Sequence, residues 1–217
     1  MTIEDITYCS QNPNSSQKKR IVTPKLRTKG RLEKFAFFGS ADLPETDPLY
    51  TEAYTIAKNL AEKGKTIING GGPGIMKAST EGAESINGKT LSITFYPKDM
   101  PYFEGRDQLN IVDKELRTTN YIERMAGLLS EADAFIIFRG GTGTLSEWST
   151  AWLIAHLYYD QAKPLFLYGD FWHDFMKSVD THFLIGQEEK EVYKIVANQS
   201  ELFDAIQATE KNFAEKH

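Results

Sequence analysis

Ala134-Phe135-Ile136-Ile137-Phe138-Arg139-Gly140-Gly141-Thr142-Gly143-Thr144 decides the fold. A continuous apolar run with no polar alternation is a strand buried on both faces, and here it empties into a glycine loop. A long helix is expected next, from Leu145 to Tyr159, with Leu145, Trp148, Trp152, Ala155 and Tyr159 on one stripe. The same rhythm runs on both sides. Phe35 to Phe38 is a short apolar strand stopped by Gly39-Ser40, and Tyr50 to Glu62 is helically spaced and ended by Gly64. Thr66-Ile67-Ile68 leads through Asn69 into Gly70-Gly71-Gly72-Pro73-Gly74, then a helix to about Ser85 and a strand at Leu91 to Phe95. Asn110-Ile111-Val112 is a weaker strand candidate. Thr119 to Ser130 is helical, Leu165 to Tyr168 a strand, and Phe171 to Val179 a helix. Val192 to Val196 is the last strand, before a terminal helix from Glu201. Apolar strands separated by helices predict an α/β, Rossmann-like three-layer fold: a mostly parallel central sheet with helices on both faces. Such sheets bind ligands at the carboxyl ends of their strands, where both glycine loops fall.

The 217 residues suit one such domain over residues 32–217, and 41% hydrophobic with 25% charged residues is the balance of a packed globular chain. No apolar run approaches the roughly 20 residues of a membrane helix, and the N-terminus is too polar for a secretory signal. Cys9 is the lone cysteine, which excludes an intrachain disulfide and a cysteine zinc site, so a cytoplasmic location is expected. The net charge of −5 hides an asymmetry. Residues 1–31 form a polar basic arm with a balance of +5, leaving −10 on the remainder. An acidic body argues against a broad nucleic-acid face, which needs clustered Lys and Arg.

Gly140-Gly141-Thr142-Gly143-Thr144 offers unobstructed backbone N–H groups and the positive end of a helix, a site for an anion such as phosphate. The glycines serve equally well in a tight βα turn that needs unusual φ/ψ. A P-loop is absent, since Gly88-Lys89-Thr90 has Ala83 where the first glycine belongs and precedes a strand. The dinucleotide fingerprint fails at Ser146, and neither His-Glu-x-x-His nor Gly-x-Ser-x-Gly occurs. Thr144-x-x-Glu147 fits a capping box, which would explain both residues without chemistry, or sets the carboxylate one turn from the anion site. On a helical wheel Arg124 points almost opposite Ile122, Met125, Ala126 and Leu129, the geometry of a solvated arginine. Its place near the start of its helix leaves a reach to the ligand edge or to a second subunit.

The runs Gly70-Gly71-Gly72-Pro73-Gly74-Ile75-Met76 and Gly140-Gly141-Thr142-Gly143-Thr144-Leu145-Ser146-Glu147 resemble the LOG ("lonely guy") family, often mislabelled lysine decarboxylase. The likeness extends from about Phe35 to Asp174 and includes Phe38-Gly39-Ser40 and Ala132-Asp133-Ala134-Phe135. It implies a phosphoribohydrolase that splits cytokinin riboside or other nucleoside 5′-monophosphates, acting as a homodimer. The family's catalytic arginine and glutamate fall on Arg124 and Glu147. Substrate would be held by Gly39, Ser40, Gly70, Gly71 and Gly72 on the nucleoside side, and by Gly140, Gly141, Thr142, Gly143 and Thr144 around the phosphate. The chain departs from the family at Arg124-Met125, where Arg-Lys is usual, and at Arg139-Gly140-Gly141, where Pro-Gly-Gly is usual. Met125 removes a positive charge near the site and Arg139 adds one at the loop's mouth. No metal or organic cofactor is called for, and no lysine is marked for a pyridoxal phosphate Schiff base. Two rivals remain: a non-catalytic binder resembling the molybdenum-cofactor carriers, needing neither Arg124 nor Glu147, and a nucleic-acid accessory protein using residues 1–31.

Overall fold

The computed structural model describes residues 31–97, 100–101, 103, 105–158 and 162–215. All of the expected basic arm except Arg31, and Tyr159 on the long helix, lie outside them. Among the described residues seven strands form one sheet: β1 (Lys34–Phe38), β2 (Thr66–Asn69), β3 (Lys89–Phe95), β4 (Lys114–Thr118), β5 (Ala134–Ile137), β6 (Leu165–Tyr168) and β7 (Tyr193–Val196). Their order is β4-β3-β2-β1-β5-β6-β7, and every pairing is parallel. The expected α/β architecture is therefore observed.

Alternation along each buried strand builds two cores. Phe35 and Phe37 face one side, with Ile67, Ile136, Phe138 and Phe166, under α1 (Pro48–Glu62), α2 (Ile75–Glu84) and α7 (Gln199–Glu215). Ala36 and Phe38 face the other, with Ile68, Phe135, Ile137 and Leu167, under α3 (Tyr121–Glu131), α4 (Thr142–Leu157) and α5 (Phe171–His182). The short α6 (Gln187–Lys190) precedes β7. The helices begin and end where local chemistry requires. Asp47 caps α1 by accepting from Leu49 N at 2.8 Å, Pro48 supplies a φ already helical, and Gly64 ends the segment at φ +76°.

Two expectations are corrected. The strand expected at Asn110 to Val112 is not there. Asn110 is buried because its amide donates to Gly72 O at 2.8 Å, and the edge strand is β4 at Lys-Glu-Leu-Arg-Thr instead. An edge strand needs no apolar run, and charges there discourage pairing with other chains. The long helix begins at Thr142, three residues before Leu145, so the threonines of the glycine loop form its first turn.

The chain moves outward from β1 through β2, β3 and β4, then returns to lay β5 on the other side of β1. That reversal opens a crevice at the carboxyl ends of β1 and β5, where ligands bind in sheets of this kind.

Candidate functional site

A cavity of about 600 Å³ lies at that reversal point. Its floor is Phe37, Phe38, Gly39 and Ser40 at the end of β1, and one wall is Gly141, Thr142, Gly143 and Thr144. Ser40 N donates to Arg139 O at 3.1 Å, which ties the two loops together across the crevice. The approach depends on a missing side chain. A β-carbon on Gly140 would run into Thr144 Oγ1 and come 2.9 Å from the carbonyl carbon of Gly39. Gly141 is the N-cap of α4 and no side chain caps the helix, so its first-turn N–H groups are offered to whatever occupies the cavity. No acidic residue lies in that first turn to compete with an anion.

Arg124 and Glu147 line the same cavity. Arg124 is 3% exposed, which overturns the wheel reading of a solvated arginine, while Ile122, placed on the apolar face, is 65% exposed. The wheel assumed that one face of α3 meets a core along its whole length. That face does so only from Met125 onward, through Met125, Leu128 and Leu129, because the first turn overhangs the carboxyl edge where the inside is the cavity. Glu147 is 7% exposed, and its Oε1 lies 3.6 Å from Arg124 Nη1. The capping box is excluded by the same helix start that frees the loop. Thr144 is two residues inside α4, so Glu147 cannot fold back on a cap there.

The guanidinium is loosely held for a buried charge. Its Nη2 donates to Gly70 O at 3.4 Å and to Met76 Sδ at 3.6 Å, and among the described residues Nε has no hydrogen-bond partner. The rings of Phe103 and Tyr121 each stand with their centroids 5.7 Å from its carbon. A buried donor without an acceptor costs about 1–3 kcal/mol, and this one is turned toward Gly70, whose β-carbon position lies 3.0 Å away.

The remaining expected residues divide. Gly70 lines the cavity, but Gly71, Gly72 and Gly140 are not among its walls. Gly71 O accepts from Arg106 Nη1 at 3.2 Å and from Asp107 N at 3.0 Å, and Gly72 O is taken by Asn110. Arg139 leaves its charge outside the cavity, with its guanidinium 6.0 Å from the Phe171 ring. Met125 packs against the α3–α4 core, where its sulfur accepts from Ser146 Oγ at 3.7 Å. Sequence reading passed over Asp42, Met76, Tyr121 and the Met100-Pro101-Phe103 wall. Tyr121 carried a usable signal, since the first residue after an N-cap stands at the ligand edge of such a sheet. Phe103 carried none, because it lies within an irregular connection.

The SLOG cluster4 family model matches residues 34–200. An uncharacterized protein of Archaeoglobus fulgidus is 32% identical over 117 residues, 54% of this chain and 72% of that protein. Among solved structures, the molybdenum cofactor binding protein of the phototrophic bacterium Rippkaea orientalis aligns with a TM-score of 0.60 at 21% identity, covering 82% of this chain and 98% of that one. The Moco carrier protein of Chlamydomonas rheinhardtii aligns with a TM-score of 0.56 at 21% identity, over 82% and 97%. At such identities these two likenesses speak to the fold.

Proposed function

The chain belongs to the SLOG cluster4 family, and from that premise we propose that it hydrolyses the N-glycosidic bond of a nucleoside 5′-monophosphate. The products are the free base and ribose 5-phosphate. The observation that carries this reading is the buried Arg124–Glu147 pair, 3.6 Å apart on the wall of a cavity that is also lined by the uncapped start of α4, the helix that carries Glu147 one turn further on. Cleavage builds positive charge on the ribose as the base leaves, and a carboxylate beside C1′ is most favourable when that charge is largest. Glu147 fills this role and orients the attacking water. Water adds to C1′, the C1′–N bond breaks with its electron pair on the base, and the proton given up by water ends on the base nitrogen. Arg124 keeps Glu147 in place. The first turn of α4, with Thr142 and Thr144, grips the 5′-phosphate, so remote binding energy sets the sugar over the carboxylate.

The test is chromatographic: AMP, GMP, CMP and a cytokinin riboside monophosphate are incubated with the protein and free base is measured. Glu147→Gln is expected to lower base release by at least about 10²-fold while AMP binding survives. Adenosine is expected to be a far poorer substrate than AMP. The likeness to molybdenum cofactor binders favours one other reading, a carrier of a phosphorylated cofactor on the same fold. A carrier binds its ligand equally well after Glu147→Gln and releases no base in either form. That outcome would replace the hydrolase.

A further inference from the structure

The first glycine loop turns its carbonyls, one after another, toward donors. Gly70 O accepts from Arg124 Nη2, Gly71 O from Arg106 Nη1 and Asp107 N, and Gly72 O from Asn110 Nδ2. A row of carbonyls aimed at guanidinium and amide groups holds cations and repels phosphate. Beneath it lies Asn69, fully buried at the end of β2. Its Oδ1 accepts from Gly71 N at 2.9 Å and Ser92 Oγ at 2.9 Å. Its amide nitrogen lies 3.0 Å from Met76 O, 3.1 Å from Ser79 Oγ and 2.8 Å from Thr80 Oγ1. Gly70 and Met76, which hold Arg124 Nη2, are therefore both anchored by one side chain: Gly70 through the neighbouring Gly71 N, Met76 through its own carbonyl. Gly70 completes the seat, since a β-carbon there would overlap Arg124 Nη2.

We propose that Asn69 and Gly70 are positioning residues for Arg124, and that Gly70, which lines the cavity, acts there as the seat of the arginine. The claim that this setting matters for turnover rests on the hydrolase reading. The claim about the arginine does not. With both polar atoms of Asn69 partnered and the side chain fully buried, its bonds hold one arrangement, which is what a guanidinium with only long contacts of its own needs. Displacing a reacting group by about 1 Å costs on the order of 10²-fold in rate.

The experiment uses protein labelled with ¹⁵N-arginine. The Nε–H signal that disappears in Arg124→Lys is that of Arg124, and burial gives it slow exchange with solvent. In Asn69→Ala and in Gly70→Ala it is expected to shift and to exchange faster. Gly70→Ala guards against a misfolded Asn69→Ala, because the atom it meets is the far end of a flexible side chain and its φ is not positive. With AMP as substrate, kcat falls about 10²-fold in both variants while KM stays within about threefold. In an Arg124→Lys background Asn69→Ala lowers kcat no further. An unmoved Arg124 signal in both variants, or losses that add in the double variant, overturns the proposal. If the unmodified protein releases no base, the hydrolase reading fails and the arginine signal still decides the positioning.

Discussion

Removing a buried charge from water is costly unless something answers it, and Arg124 is answered by Glu147, one long backbone bond and a sulfur. Arg139 is the contrasting case. It is exposed, and its guanidinium stands over the Phe171 ring outside the cavity, where a cation–π contact is worth about 0.5–1 kcal/mol. Arg139→Ala is therefore expected to leave base release within about threefold and to lower Tm by at most a few degrees. A tenfold loss of turnover in steady-state kinetics would place its charge in the site after all. The two arginines could not be ranked from their positions in the chain. Arg139 lies directly beside the glycine motif and Arg124 on a face that a wheel turns outward, so both cues pointed the wrong way. Resemblance selected Arg124. Burial explains why it differs, because the local inside of α3 is set by an edge of the sheet that only the assembled topology creates.

The element that carries Arg124 is fixed at both ends. Asn120 caps α3 by accepting from Glu123 N at 2.9 Å, and the Glu123 carboxylate accepts from Thr119 N at 3.0 Å. At the far end the buried Lys163 donates to the carbonyls of Leu129 at 2.8 Å and Ser130 at 2.9 Å, placing a cation at the negative helix terminus. Lys163→Met is expected to cost about 1–3 kcal/mol and to lower Tm by about 3–10 °C in a thermal melt. A second anchor holds the segment that clamps the first glycine loop. Burial raises the pKa of the Glu115 carboxyl, but the bond from Thr94 Oγ1 at 2.6 Å and the charges of Arg106 and Arg117 outweigh it and hold the group below its ordinary value. A carboxylate depressed in the folded state adds stability above its unfolded pKa and loses it as pH falls through the folded one. Glu115→Gln should therefore destabilise the protein at neutral pH and flatten the decline of Tm on the acid side. A parallel decline in both proteins would remove Glu115 from the account. Elements defined by apolar periodicity, such as β1, β5 and α1, were legible in the sequence to within two residues. β4 was not, since a charged edge strand leaves no hydrophobic trace. The start of α4 was misplaced because Gly-Thr-Gly-Thr reads as loop until the free first turn is seen facing a cavity.

At the scale of the whole molecule, the reversal of strand order between β1 and β5 brings together residues more than a hundred positions apart, Gly39 and Ser40 against Gly141 to Glu147. The rhythm of strands and helices sufficed to predict that such an edge exists and which loops reach it, because parallel order follows from element order. The rhythm is silent on what covers the outer helices. α4 is apolar with almost no preferred side, and such a helix is ordinarily covered all round. Its inner face is satisfied by Trp148, Ala151, Trp152 and Ala155. Leu145, Leu153 and Leu157 remain 45%, 54% and 64% exposed within a third of a turn of one another. Exposed Ser149 separates Leu145 from Leu153 in this row, which starts one residue after Thr144 at the cavity wall. The homodimer implied by resemblance is expected to use this face, which would bring a second copy close to each cavity. Light scattering coupled to size exclusion is expected to give about twice the 24.6 kDa chain mass. Leu153→Glu, which sets like charges across a two-fold axis, is expected to yield a folded monomer with an unchanged far-UV circular dichroism spectrum. A protein that runs as a monomer throughout leaves α4 free for a different partner, whereas a dimer untouched by Leu153→Glu moves the interface elsewhere on the surface.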